Sequence, residues 1–388
     1  MQYAVSKLRD LLKNIFSRKE NIMTITALPA APSRTTPATF AAQADAFIAA
    51  LPNFVTEANA QAALINAQAA NGQAAYEVGI ENGDLISLLE SGGLIWTDLG
   101  QQGSETEILS SCYCGNGIAI VGTGTGHIWR SDDYGATWSD IGQLGSVTDI
   151  YSLCYCGNGI VIAGTGNGGK VYRSDDSGAT WSDKGRMGTE TSILSCCYCG
   201  DKKIVVGGNS GKIYRSTTHG ATWSDLGLVA PGLDIHSLCY CGNGYTLAGT
   251  DGGKIFISNN YGLYWNDDSN ISDYIYSLCY CGNGIVIAGC SNKIYRSLDY
   301  GFTFTAITTN LSEVPYFPSV CYLGNGVVIA GTSGNPGGNI FRSLDYGATW
   351  SNNGVLGTEV NVPTLCYLGN GIALAGTSTG GKIYRSIY

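Results

Sequence analysis

The side chains of this chain best suited to chemistry are fourteen cysteines, three histidines and a scatter of acidic residues. Thiols can bind soft metals, pair as disulfides or act as nucleophiles, and their spacing decides among these roles. Here Cys112/Cys114, Cys154/Cys156, Cys197/Cys199, Cys239/Cys241 and Cys279/Cys281 recur as Cys-Tyr-Cys. Cys321 and Cys366 hold the first place of the same triplet, with Leu323 and Leu368 in the second. Leucine can stand in for a buried apolar thiol, but not for half a disulfide or for a metal ligand. The cysteines therefore read as packing residues, and thiols left reduced point to maturation in a reducing cytoplasm. His127, His219 and His236 sit in unrelated contexts and make no metal or catalytic set. No catalytic residue, metal or other cofactor is expected.

The acids offer a different chemistry. Glu105, Glu107, Asp149, Glu190, Asp234, Glu313 and Glu359, with Tyr316, fall in segments that differ from one another along an otherwise regular chain. Carboxylates can hydrogen-bond to sugar hydroxyls and an aromatic ring can stack on a sugar face, so these eight form a candidate ligand-binding rim. The same residues would also serve as solubilising surface charge. They do not form a calcium loop of clustered oxygen ligands.

The elements that must position these groups follow from a repeat. Gly-Asn-Gly recurs at Gly115, Gly157, Gly242, Gly282, Gly324 and Gly369, and Gly200-Asp201-Lys202 is a degenerate copy. The spacing of 40 to 45 residues is that of a four-stranded propeller blade. In the second copy, Tyr151 to Tyr155 alternates as an inner strand, and Gly157-Asn158-Gly159 supplies a hairpin turn. Ile160 to Ala163 follows as an apolar second strand, and the Gly-rich stretch Gly164 to Gly169 leads into a third, Lys170 to Arg173. Ser174 to Trp181 then turns the chain into a short outer strand. Small residues on the inner strand suit blades that converge on an axis. The last copy ends at Gly381 to Ser386, one strand short, while Leu94 to Gly100 matches the outer-strand stretch Ala221 to Gly227. The N-terminal strand is thus expected to complete the C-terminal blade and leave no free edge. The expected fold is mainly β: a seven-bladed β-propeller over residues 93–388, closed by its N-terminal strand.

Within each copy, Ser131-Asp132-Asp133-Tyr134-Gly135-Ala136-Thr137-Trp138 resembles the Asp-box of bacterial neuraminidase repeats, Ser-x-Asp-x-Gly-x-Thr-Trp. It returns intact at Ser174, Asp176, Gly178 and Trp181 and at Ser343, Asp345, Gly347 and Trp350. Degenerate copies begin at Ser216, Ser258 and Ser297, where Thr218, Asn260 and Phe304 depart from the pattern. The resemblance implies a structural role for Ser131, Asp133, Gly135, Trp138 and their counterparts: oxygens that accept turn amides, a left-handed glycine and a packing tryptophan. It implies a fold rather than an activity, because Asp-box propellers include sialidases, other glycosidases, assembly factors and receptors. A sialidase would need an arginine cluster, yet Arg130, Arg173, Arg215, Arg296, Arg342 and Arg385 each precede a Ser at the same repeat position. The Phe/Tyr-Arg-Ile-Pro signature is absent. A non-enzymatic protein is expected, with a sialidase-like exo-glycosidase as the alternative.

Ahead of the repeats, residues 23–92 read as an α-helical segment. Thr36-Pro37 resembles a cap with proline at the first helical position, and Phe40, Ala44, Phe47, Ile48 and Leu51 share one face. Such Ala-rich helices are too small to stand alone and should pack on another protein or on copies of themselves. The run Ala27 to Phe40, continuing through Asp45-Ala46-Phe47 and Leu51 to Ala60, resembles the opening of many tailed-bacteriophage virion proteins, often tail-fibre ones. The resemblance implies an N-terminal virion anchor and a C-terminal display domain. Residues 1–22 are basic and amphipathic, with Arg9, Asp10 and Lys13 interrupting what a secretory signal would keep apolar. Three readings of this extension stand: a docking helix, an interfacial membrane helix, or sequence upstream of a natural start at Met23.

The expected protein is a virion structural protein (a tail fibre, head fibre or tail-associated protein), assembled in the bacterial cytoplasm. Its expected partners are other virion proteins, a host-surface glycan, and copies of itself, as a trimer. A purely architectural capsid or tail role is a further alternative. The net charge of −9 argues against a nucleic-acid partner, and no apolar run is long enough to span a membrane.

Overall fold

The computed structural model describes residues 94–307, 316–334 and 337–387. The segment over residues 23–92 that is expected to be helical, the extension over 1–22 and Glu313 lie outside the described residues. The repeats fold into seven four-stranded antiparallel sheets, each a blade running from an inner to an outer strand. In blade 1 the strands are Ile108–Gly115, Ile118–Thr123, His127–Ser131 and Ser139–Gln143. Inner strands of blades 2 to 6 begin at Ile150, Ile193, Ile235, Ile275 and Tyr316. Blade 7 takes Thr364–Gly369, Ile372–Gly376 and Lys382–Ile387 from the C-terminal end and its outer strand, Ile95–Gln101, from the front. That closing strand pairs Trp96 with Ser386, Thr97 with Arg385 and Asp98 with Tyr384. The register sets Asp98 beside Lys382, 3.1 Å apart, repeating the Lys170–Asp183 and Lys212–Asp225 pairs of blades 2 and 3. These pairs are exposed and add little stability, but they mark the closing strand as an ordinary outer strand in register.

Turns alternate between two faces of the ring. The Gly-Asn-Gly hairpins and the Asp-boxes share one face, where Tyr134 N donates to Gly117 O and Tyr346 N to Gly326 O. The opposite face carries the loops between second and third strands and the links from each outer strand to the next blade. There Leu144 N donates to Gly126 O and Leu356 N to Gly338 O.

Blades are joined by the same seam seven times. A glycine in each second strand lies against the first buried residue of the next inner strand. A Cβ on Gly122, Gly207 or Gly249 would fall 2.4 to 2.6 Å from a methyl of Ile150, Ile235 or Ile275. Gly376 of blade 7 meets Ile108 of blade 1 in the same way, at 2.5 Å, which closes the ring. Small inner-strand residues are more than a response to crowding. Ser110 donates to Ile150 O at 2.7 Å, Ser195 to Ile235 O at 2.9 Å and Ser319 to Val362 O at 2.7 Å, each across a seam. The cysteines fill the same seams without disulfides. Cys112 and Cys114 pack on Val161 and Ala163 of blade 2, while Cys366 and Leu368 pack on Ala119 and Val121 of blade 1.

Because Gly207 leaves no room for a methyl, Gly207→Ala should destabilise the propeller by about 1–3 kcal/mol, the usual cost of overpacking. Urea unfolding would measure it. The double variant with Ile235→Ala should lose less than the sum of the two single changes, since each relieves the other's clash or void.

Candidate functional site

The Asp-box is built as a closed set of hydrogen bonds. Ser131 Oγ accepts from Gly135 N at 2.9 Å and donates to Asp133 Oδ1 at 2.8 Å. Asp133 accepts from Thr137 N at 2.8 Å and from Thr137 Oγ1 at 2.6 Å, and Trp138 Nε1 donates to Gly135 O at 3.1 Å. Ser174–Trp181 and Ser343–Trp350 repeat these bonds. In the degenerate boxes Thr218 Oγ1 and Asn260 Oδ1 accept the same amide, from Thr222 and Tyr264. The box glycine is left-handed, and so is the residue before it, from His219 at φ 53° to Tyr300 at 61°. That second strained position has no residue-type signal, since Tyr, Ser and His all fill it.

Four of the recurring arginines use the carbonyl of that left-handed position. Arg130 Nε donates to Ser177 O at 2.9 Å, Arg215 to Tyr261 O at 2.9 Å, Arg296 to Tyr346 O at 2.7 Å and Arg385 to Tyr134 O at 2.8 Å. Each acceptor is the left-handed residue of the next blade's box. The box glycine also presses on the preceding blade, as Gly178 does on Ile120 and Gly135 on Leu374. The Asp-box is thus a clamp between blades, and these four arginines are spent on backbone carbonyls instead of converging on a substrate carboxylate.

On the opposite face, the rim acids separate into two rows. Glu105, Glu190 and Glu359 lie three residues before the first seam residue of the inner strand and are buried, Glu190 completely. This corrects their expected place on a ligand-binding rim. Glu190 accepts from Ser210 N at 2.9 Å and also takes the Ser210 hydroxyl, Glu105 accepts from Thr125 Oγ1 at 2.5 Å, and Glu359 lies 3.5 Å from Lys382 Nζ. The turn forces them inward. Their own carbonyls crowd the glycine before a third strand, where a Cβ on Gly381, Gly169 or Gly338 would stand within 1.9 to 2.3 Å of the oxygen. Val147 takes the equivalent place in the next link and is buried as well.

The second row, one residue before the seam residue, reaches the surface. It runs Glu107, Asp149, Ser192, Asp234, Tyr274, Tyr316 and Asn361 around the ring. Inside it stands a second circle, Leu109, Tyr151, Leu194, His236, Tyr276, Pro318 and Pro363, at the mouth of an axial cavity of about 210 Å³. On blades 4 to 6 these circles merge into an aromatic cluster. The Tyr274 and Tyr276 rings stack with centroids 4.2 Å apart, His236 lies 4.8 Å from Tyr274, and Tyr316 meets Tyr276 edge-on at 5.8 Å. Tyr316 and Tyr151 remain exposed at 42% and 36%.

Asp251, in the loop before the third strand of blade 4, joins Asp234 and His236 so that one ligand atom from each lies within 4.8 Å of the others. The three histidines stand apart from one another: His127 takes the place of the repeat's lysine and pairs with Asp140 at 3.0 Å, and His219 fills the left-handed box position. Burial raises the Asp234 carboxyl above its ordinary value, with help from the carboxylates of Asp251 and Glu190. Burial lowers His236, an effect that Asp251 opposes, and raises the Tyr274 phenol. Tyr274, Tyr276, His236 and Asp251 were not among the expected site residues. Their signal is visible only when the repeats are aligned on the seam residue, where blades 4 and 5 depart from the others.

These features define the class as a seven-bladed Asp-box β-propeller. The BNR-Asp box repeat model matches residues 128–141. No relative was found among curated protein sequences. Among solved structures the chain is similar to YCF48 bound to D1 peptide, with 17% identity, a TM-score of 0.62, and 76% of this chain and 97% of that one covered. It is also similar to a catalytically inactive virginiamycin B lyase from Staphylococcus aureus with quinupristin, with 10% identity, a TM-score of 0.66, and 76% and 99% covered. A GH74 xyloglucanase from Xanthomonas campestris shares 14% identity at a TM-score of 0.59, over 75% of this chain and 53% of that one. At these identities the likeness is one of fold.

The box carboxylates make the fold acid-sensitive. Burial alone would raise Asp133, Asp176, Asp299 and Asp345, but hydrogen bonds from the box Thr and Ser outweigh it and hold all four below the ordinary carboxylate value. A carboxyl depressed on folding adds stability above its unfolded pKa and loses it as pH falls through the folded value. The urea midpoint should therefore drop steeply below about pH 4. Asp345→Asn should be less stable than wild type at pH 7 and show a shallower drop in acid.

Proposed function

We propose that this chain is a non-enzymatic bacteriophage virion protein that uses its propeller for attachment or recognition, and that the axial mouth binds a host-surface glycan. One observation carries the binding half of this reading. Tyr151 and Tyr276 line one open cavity, and the row just outside them carries Tyr316 and the carboxylates of Glu107, Asp149 and Asp234. Such rings offer apolar faces for sugar C–H surfaces while keeping a polar tip, and carboxylates accept hydrogen bonds from hydroxyls. The scaffold beneath is regular, and the departures from regularity gather at this mouth. The virion half rests on the segment from Ala27 to Ala60, whose residues resemble phage virion openings. Several copies on one particle would make weak single contacts effective through avidity.

Full-length protein should bind host cells or their extracted surface polysaccharide in a pull-down. Tyr276→Ala and Tyr316→Ala should each reduce binding at least about fivefold, equivalent to about 1 kcal/mol of stacking contact. Retained binding in both variants would remove the mouth from the reading. Release of reducing sugar by the wild-type protein would replace attachment with glycoside hydrolysis. Phage that adsorb normally after deletion of the propeller would favour an architectural role.

A further inference from the structure

We propose that Asp234, His236 and Asp251 of blade 4 form a binding site for one divalent transition-metal ion of the zinc class. Two carboxylates and an imidazole are the borderline donor set such ions prefer, and three protein ligands leave a position open to solvent or a guest oxygen. Their ligand atoms lie within 4.8 Å of one another, and His236 Nε2 is 3.9 Å from Asp234 Oδ2. Bonds of about 2.1 Å to a common ion need only small side-chain rotations from there. Among the described residues no other group of His, Cys, Asp or Glu gathers three such atoms, the cysteines of the seams included.

The repeat supplies an internal control. Blade 3 has Ser192, Leu194 and Asn209 at the three positions, and there Asn209 Oδ1 accepts from Ser192 N at 3.1 Å. In blade 4, Asp251 Oδ1 accepts from Asp234 N at 3.0 Å, so it makes the same structural bond. A neutral amide suffices for that bond. The carboxylate in its place adds a second acidic group beside Asp234. Like charges packed this way disfavour one another unless a cation joins them. The Tyr274 hydroxyl now hydrogen-bonds to His236 Nε2, and the ion would take its place.

The site does not depend on what the mouth recognises and can be tested with the metal alone. Zn²⁺ titrated calorimetrically into the full chain should bind with one ion per chain. Asp251→Asn reproduces the blade 3 residue and so keeps the fold. It should weaken binding at least about tenfold, since loss of even an outer-sphere partner costs that much. His236→Ala should do the same, whereas Tyr274→Phe, which frees the imidazole nitrogen, should bind at least as tightly as wild type. With Co²⁺ the absorption spectrum should lack a thiolate charge-transfer band. Failure of the wild type to bind, undiminished binding by Asp251→Asn or His236→Ala, loss of binding in Tyr274→Phe, or a thiolate band from the cysteines would each overturn the assignment.

Discussion

Everything in this propeller depends on how closely one blade can approach the next. The approach is set by a glycine in each second strand, which leaves a hollow the size of a methyl group for the seam residue of the following blade. Interiors pack at crystal-like density, so a hollow filled seven times over defines both the spacing of the sheets and the number that closes the ring. Serines at the axis and arginines at the periphery then tie the backbones together across the gap. The serine bonds are short and buried. The arginine bonds fall on the carbonyls of left-handed turn residues.

This arrangement explains why the most recognisable motif says so little about function. Each Asp-box presses its glycine on the preceding blade's second strand, and four of the six also receive that blade's arginine. Its polar groups satisfy one another, and its tryptophan closes over the turn. Chemistry is free to vary where the seam imposes nothing, one residue before the seam residue and one after it, on the face away from the boxes. The two circles at the mouth are those positions. Three residues before the seam residue the constraint returns, and Glu105, Glu190 and Glu359 are buried by a turn that crowds their carbonyls against glycine.

The legibility of the chain follows the same division. Strand count, the order of strands within a blade and the composite seventh blade were readable from the recurrence of Gly-Asn-Gly and from the match of Leu94–Gly100 to Ala221–Gly227. The cysteines were readable as packing groups because leucine replaces two of them. The acids were read as one class because they share a link and a charge. Distinguishing Glu105 from Glu107 requires knowing which way each points, and a turn with left-handed residues breaks the simple alternation that would reveal it. Asp251 was out of reach for another reason: it is seventeen positions from Asp234, on a different loop, and meets it only after a hairpin has folded back.

The seven-bladed ring was therefore determined by the sequence itself, since a repeat with one seam leaves one way to bury every sheet and strand edge. Tertiary structure decided which side chains are scaffold and which are presented. It set four arginines as clamps on the next blade's box, withdrew three glutamates from the rim, and brought Asp251 to Asp234 and His236. The physical reason is one of range. Periodicity records the local contacts that every blade repeats, whereas a site on one face is assembled from separate loops whose meeting no local pattern encodes.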